Sequence, residues 1–278
     1  MDVSGVLGRI AADAASGEIA FSTHADIAMR VRKAVDDPDC SLDHLAKLIQ
    51  AEPLLAARVV GVANSVIYNR SGRAIADVRN AISRIGFKTT RALATAVVVR
   101  QMQDLSRDAA HRQLAMRLWE HTAQVASLAY VIAKRVTHQD PDTALFAGIV
   151  HEVGGFYLIS RAADFPGLLV GELAGWDGHY EAKVGRPVLA ALGVPEAVVG
   201  AIESMWDGYL AMPPETLGDT LLLADRLATS ESPLSQLAGL GRQGTTVQID
   251  VALDDDTLSG ILKESAGELE SLTSALRS

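Results

Sequence analysis

The sequence predicts an all-α protein, a helical bundle in two packed subdomains, and three observations carry that expectation. Apolar residues recur at the i, i+3, i+4, i+7 spacing in one segment after another. Helix-starting residues stand ahead of these segments, as at Ser41, Asp77 and the Asp140-Pro141 pair. Strand-like alternation is nearly missing: Val247, Ile249, Val251 and Leu253 alternate, and a lone extended piece without a partner is read as a loop.

Val6, Leu7 and Ile10 mark a short amphipathic lead. Ser41 then caps a helix whose buried face is Leu42, Leu45, Ala46 and Ile49 and which ends near Ala51. Pro53 sits where a first turn tolerates a missing N–H, and Leu55, Val59, Val62 and Ala63 restart the stripe until Asn64 and Ser65 close it. As a C-terminal cap, Asn64 is expected in the left-handed conformation. Asp77 caps a helix through Val78, Ile82 and Ile85, with Gly86 just past its end, and another helix follows over about 89–102.

The polar stretch 103–110 interrupts the pattern and divides the chain into residues 1–105, residues 106–235 and a C-terminal extension, 236–278. Beyond it run a long helix with Leu114, Leu118, Val125, Leu128 and Ile132, and a second from Asp140-Pro141 that Gly154-Gly155 is expected to break. Pro195 opens a helix through Val198, Ile202 and Met205, and 221–227 is the last helical piece of this half. Residues 256–276 carry Leu258, Ile261, Leu262, Leu269, Leu272 and Leu276 on one side, a stripe that must be covered by the second subdomain or by another chain, as in a homodimer.

The chain has 278 residues, 49% hydrophobic and 21% charged, enough to bury a substantial core. A formal charge of −9 excludes a protein whose main business is holding nucleic acid, and favours protein or small-molecule partners. Cys40 is the only cysteine, so an intramolecular disulfide is excluded and a reducing cytoplasm is the expected compartment. Apolar runs such as 94–99 are too short to cross a bilayer, and Asp2 and Asp13 stand where a targeting segment would be basic, so no membrane association is expected.

Four polar residues fall on apolar stripes. His121 lies three residues after Leu118 and four before Val125; Glu152 follows His151 and continues the face of Leu145 and Ile149; Asp225 comes four after Leu221. Isolated buried carboxylates are costly, so two imidazoles and two carboxylates turned inward imply mutual hydrogen bonding or a shared cation. Trp119 reads as packing. A basic run, Arg70, Arg73, Arg79, Arg84, Lys88, Arg91, Arg100 and Arg107, reads as a solvated surface or an anionic-partner patch on which Arg84, Lys88 and Arg91 share a face.

The pattern S-x-x-x-L-A-x-x-I-x-x-E-P-x-L-x-A-R-V-V-x-x-A-N-S-x-x-Y, from Ser41 to Tyr68, resembles the signature of HDOD domains, bacterial signalling relatives of the HD and HD-GYP phosphohydrolases. The resemblance covers about residues 21–235. The second half is similar to an HD domain: His121, His151 and Asp225 match its metal ligands, and Glu152 stands where that family has Asp. Gly155 replaces the lysine of HD-GYP enzymes, Glu181 replaces a later histidine with His179 displaced by two, and Met205 and Trp206 replace a His-His pair. The resemblance therefore implies a non-catalytic signal-transduction or scaffold protein that binds other signalling proteins or a nucleotide signal, without a cofactor. The alternative is a phosphohydrolase with one divalent metal ion on His121, His151, Glu152 and Asp225.

Overall fold

A computed structural model describes residues 3–16, 23–102, 106, 108–169, 181–208, 210–211, 213–237 and 255–277. The fold is all-α, with no strand among the described residues. The alternating 247–253 segment lies outside them.

The helices are α1 (Val3–Ala15), α2 (Thr23–Val35), α3 (Leu42–Gln50), α4 (Pro53–Ala63), α5 (Val78–Gln101), α6 (Ala109–Ile132), α7 (Pro141–Val150) and α8 (Val153–Arg161). After them come α9 (Arg186–Ala191), α10 (Glu196–Trp206), α11 (Leu217–Leu227), α12 (Pro233–Leu237), α13 (Asp255–Glu264) and α14 (Ala266–Arg277). Their buried apolar faces join in one continuous core.

Most starts follow from local chemistry. The side chains of Ser41, Asp77, Asp108 and Asp140 each accept a backbone N–H of the first turn they precede. Gly86 has φ 80° and ψ 172°, so α5 is two helical runs joined at a residue that needs no Cβ. Two elements lacked a clear apolar signal in the sequence: α2, which is rich in charge, and the short α12. The first turn of α11 is fixed by a Thr216–Asp219 capping box.

Three expectations are corrected. Asn64 is right-handed, at φ −93°, because its amide is committed to the loop: it donates to Ile75 O at 2.7 Å and accepts from Ile75 N at 2.8 Å. Gly154 and Gly155 do not break a helix; the break falls at His151–Glu152, and both glycines lie inside α8. A Cβ on Gly154 would sit 2.6 Å from Gly185 Cα, so the pair marks close packing. The C-terminal stripe is split at Ser265 into two helices rather than one.

The stretch Pro141–Asp164 is long and apolar enough to span a membrane by composition, unlike the short runs read from sequence, but 89% of its most apolar window is buried inside the fold. It is the central layer. Gly148 lets α7 approach α6 so closely that a Cβ there would lie 2.5 Å from Ala126 Cα. The side chains of α14 dock on the bundle: Leu272 and Leu276 are buried, Arg277 pairs with Glu120 at 2.8 Å, and Ser271 Oγ accepts from Val66 N. Of the described part of that stripe, Leu272 and Leu276 are covered within the chain, while Ile261, Leu262 and Leu269 stay partly exposed.

Candidate metal centre

Helices α6, α7 and α11 bring the four inward polar residues together. His121 arrives from the middle of α6, His151 and Glu152 from the link between α7 and α8, and Asp225 from the last turns of α11. His121 and His151 are 0% and 3% exposed and Glu152 is 7% exposed, while a quarter of the Asp225 side chain remains accessible. Potential ligand atoms of His121, His151 and Glu152 all lie within 4.8 Å of one another.

Backbone carbonyls set both rings. His121 Nδ1 donates to Ser230 O at 2.8 Å and His151 Nδ1 to Gly148 O at 2.7 Å. With each Nδ1 holding a proton, the Nε2 atoms are turned toward each other at 3.4 Å, and His121 Nε2 lies 3.3 Å from Asp225 Oδ1. Both are long for direct hydrogen bonds, whose usual N···O distance is about 2.9 Å. Four ligands at about 2.0–2.1 Å from a tetrahedral ion stand about 3.3–3.4 Å apart, so the two distances match edges of a metal's coordination shell. His121, His151 and Glu152 therefore offer donors that fit one divalent ion, with Asp225 beside His121 and the carbonyls of Ser230 and Gly148 as the outer partners that orient metal-binding imidazoles.

Charge distributes unevenly over the cluster. Burial disfavours a protonated His121, but the Asp225 hydrogen bond and the charges of Asp225 and Glu152 outweigh it and raise the His121 pKa. Burial likewise opposes ionisation of Asp225, yet the His121 hydrogen bond and charge hold its carboxyl below the usual range. Burial dominates at His151 and pushes its pKa down. The same charges thus favour a His121–Asp225 ion pair beside a His151 held toward its neutral form.

Described residues pack tightly on the Gly155 side of the cluster. Gly155 faces Leu234 of α12, Leu118 of α6 and Glu152: a Cβ there would meet Leu234 Cδ1 at 2.5 Å, Glu152 Oε2 at 3.1 Å and Leu118 Cδ2 at 3.2 Å. Trp206, with Met205 at the positions expected to replace a His-His pair, packs its indole 3.1 Å from where a Gly185 Cβ would be. The backbone of Glu181 begins a π-helical turn, and His179 lies outside the described residues. Neither of two surface clefts, of about 610 Å³ and 580 Å³, is lined by any of the four cluster residues.

Four cations of the basic run are engaged within the chain. Arg79 pairs with Asp43, Lys88 with Asp140 and Arg91 with Asp36, while Arg84 donates to Ala63 O and Arg73 O. Arg84, Lys88 and Arg91 are thus spent on four different neighbours. Trp119 is buried and packs edge-on against Phe156, as expected of core. Sequence reasoning missed Ser230, whose contribution is a backbone carbonyl, and Leu234, on a helix too short to show periodicity. It also missed Arg58, although its position three after Leu55 and four before Val62 places it on the buried stripe of α4.

Comparison with known proteins agrees with this architecture. The HDOD domain profile matches residues 22–175, which is narrower than the 21–235 span of the sequence resemblance. A protein of Shewanella amazonensis SB2B provisionally named a metal-dependent phosphohydrolase has a similar structure, with a TM-score of 0.69, 22% identity and 99% of each chain covered. An HDOD domain protein of unknown function from Geobacter sulfurreducens gives a TM-score of 0.60 at 22% identity over 98% of each chain. A second Shewanella amazonensis SB2B protein, provisionally named a phosphohydrolase, gives 0.59 at 20% identity over 90% of this chain and 93% of that one. At these identities the likeness is one of fold. No curated protein matches the sequence.

Proposed function

Since this chain belongs to the HDOD family, we propose that it is a non-catalytic module of bacterial signal transduction that acts by binding other proteins. The observation that carries this reading is the tight packing on the Gly155 side of the polar cluster. A hydrolase must admit a substrate phosphate to its ligands, but here Leu234, Leu118 and Glu152 fill the space over Gly155. In this reading the cluster is an internal strut: two imidazoles and Asp225 contact one another, with the Glu152 charge beside them, and hold α6, α7 and α11 together. The cleft of about 610 Å³ beside α14, with Leu128, Leu227, Leu262 and Leu269 on its walls and Glu270 and Arg277 at its rim, offers a mixed surface of the kind protein partners use.

A second reading is favoured by the 3.3 Å and 3.4 Å separations of the ring nitrogens and Asp225. In it, His121, His151, Glu152 and Asp225 hold one divalent ion, which when bound supplies a water of lowered pKa for phosphate ester hydrolysis. The protein's own residues would orient the Nε2 lone pairs and keep bulk water out. Metal content after purification without chelator separates the readings: the first expects no stoichiometric ion, the second expects about one per chain, lost in His151→Ala.

A further inference from the structure

Arg58 is an anomaly in the core. It is 1% exposed, and its Nε, Nη1 and Nη2 all lack a hydrogen-bond partner. Its guanidinium carbon lies 5.6 Å from the Trp119 ring centroid, and Trp119, itself 5% exposed, has an indole N–H that also lacks a partner. A second cation, Arg100, is close enough for its charge, after burial, to depress the Arg58 pKa to about 10. An aromatic face stabilises a guanidinium only partly, because its N–H edges stay unsatisfied. Burying a charged fork and an indole donor with no acceptor is among the costliest arrangements a fold adopts.

We propose that Arg58 and Trp119, at the seam of α4 and α6, form a receptor for a small oxyanion, a carboxylate or phosphoryl group, with Arg100 steering it inward. The planar guanidinium presents paired N–H donors matched to two oxygens, and the indole N–H supplies a further donor. The two guanidinium groups repel each other, and an anion beside both turns that repulsion into attraction. The site is separate from the polar cluster and does not depend on whether the cluster holds a metal.

The test uses the full chain in chloride buffer at constant ionic strength. Thermal unfolding is followed as inorganic phosphate or acetate replaces chloride. The expected result is a saturable rise in Tm of a few degrees with at least one anion, absent in Arg58→Met, which without the anion is as stable as the parent or more so because an unpaired charge is gone. A response to phosphate alone identifies a phosphoryl ligand, and one to acetate alone a carboxylate. No rise with either anion, or a rise retained in Arg58→Met, overturns the proposal. If Arg58→Met does not fold, the Trp119 Nε1–H resonance of the parent decides: saturable movement on titration supports the site, and an unmoved resonance overturns it.

Discussion

The phenol of Tyr68 donates to Asp142 Oδ1 at 2.7 Å, and Thr89 Oγ1 donates to the same oxygen at 2.9 Å. Tyr68 follows α4, Thr89 lies on α5 and Asp142 is in the first turn of α7, so one carboxylate ties the N-terminal helices to the central layer. The Tyr68 ring also meets Tyr130 of α6 edge-on at 6.0 Å. Tyr68→Phe keeps the ring and removes the donor. It should cost about 1.5–3 kcal/mol, the range for losing a hydrogen bond to a charged acceptor, and lower the denaturant midpoint without changing the slope.

The same phenol gives a pH dependence. Burial, reinforced by Tyr130 and Asp142, pushes the Tyr68 pKa well above the ordinary tyrosine range, and burial with Asp142 pushes Tyr130 up to about 12. Unfolded tyrosine ionises near about 10, so above that pH the unfolded state binds fewer protons than the folded one. Stability from these groups is full below about pH 10 and falls as pH rises beyond it. Unfolding between pH 9 and 11 should therefore show a shallower alkaline decline for Tyr68→Phe than for the parent.

Asn64 closes the loop that follows α4 by pairing both sides of its amide with Ile75. Asn64→Ala leaves a backbone donor and acceptor without their partner and should cost about 2–3 kcal/mol. Asn64→Asp keeps only the acceptor and should fall between the two by chemical denaturation.

The adjacent glycines of α8 should respond differently to the same added methyl. A Cβ at Gly154 meets the Gly185 backbone at 2.6 Å, which yields only if two elements separate, whereas one at Gly155 meets the end of the Leu234 side chain, which can turn away. Gly154→Ala should cost about 3 kcal/mol or more and Gly155→Ala about 1 kcal/mol. Equal costs in paired unfolding curves would contradict the packing described.

Much of this was legible in the sequence, for reasons that particular residues make plain. Ser41, Asp77 and Asp140 announced helix starts because a capping side chain acts within its own first turn. His121 and Glu152 announced their burial because helical spacing fixes the face on which a residue lies. Asn64 and the Gly154-Gly155 pair were misread because their roles depend on Ile75 and Gly185, partners distant in the chain. The carbonyls of Ser230 and Gly148 that orient the imidazoles leave no trace in residue identity at all.

The C-terminal helices test the bundle's dependence on its last elements. Leu272 and Leu276 are 0% exposed beneath α14. Truncation after Asp250 removes them and should destabilise the chain by roughly 4 kcal/mol, at about 1.5–3 kcal/mol per buried leucine. Light scattering on the truncated and full chains should give the same oligomeric state, because the two fully buried leucines of the stripe are covered within the chain.

The central proposal, that this chain acts as a binding module rather than a hydrolase, is tested most directly by one assay. The full chain, supplied with Mn²⁺, Mg²⁺ or Fe²⁺, is incubated with cyclic di-nucleotides and simple phosphodiesters. The account predicts no turnover above the metal-only background. Turnover that vanishes in a folded His151→Ala protein would contradict it and establish the metal-dependent reading instead.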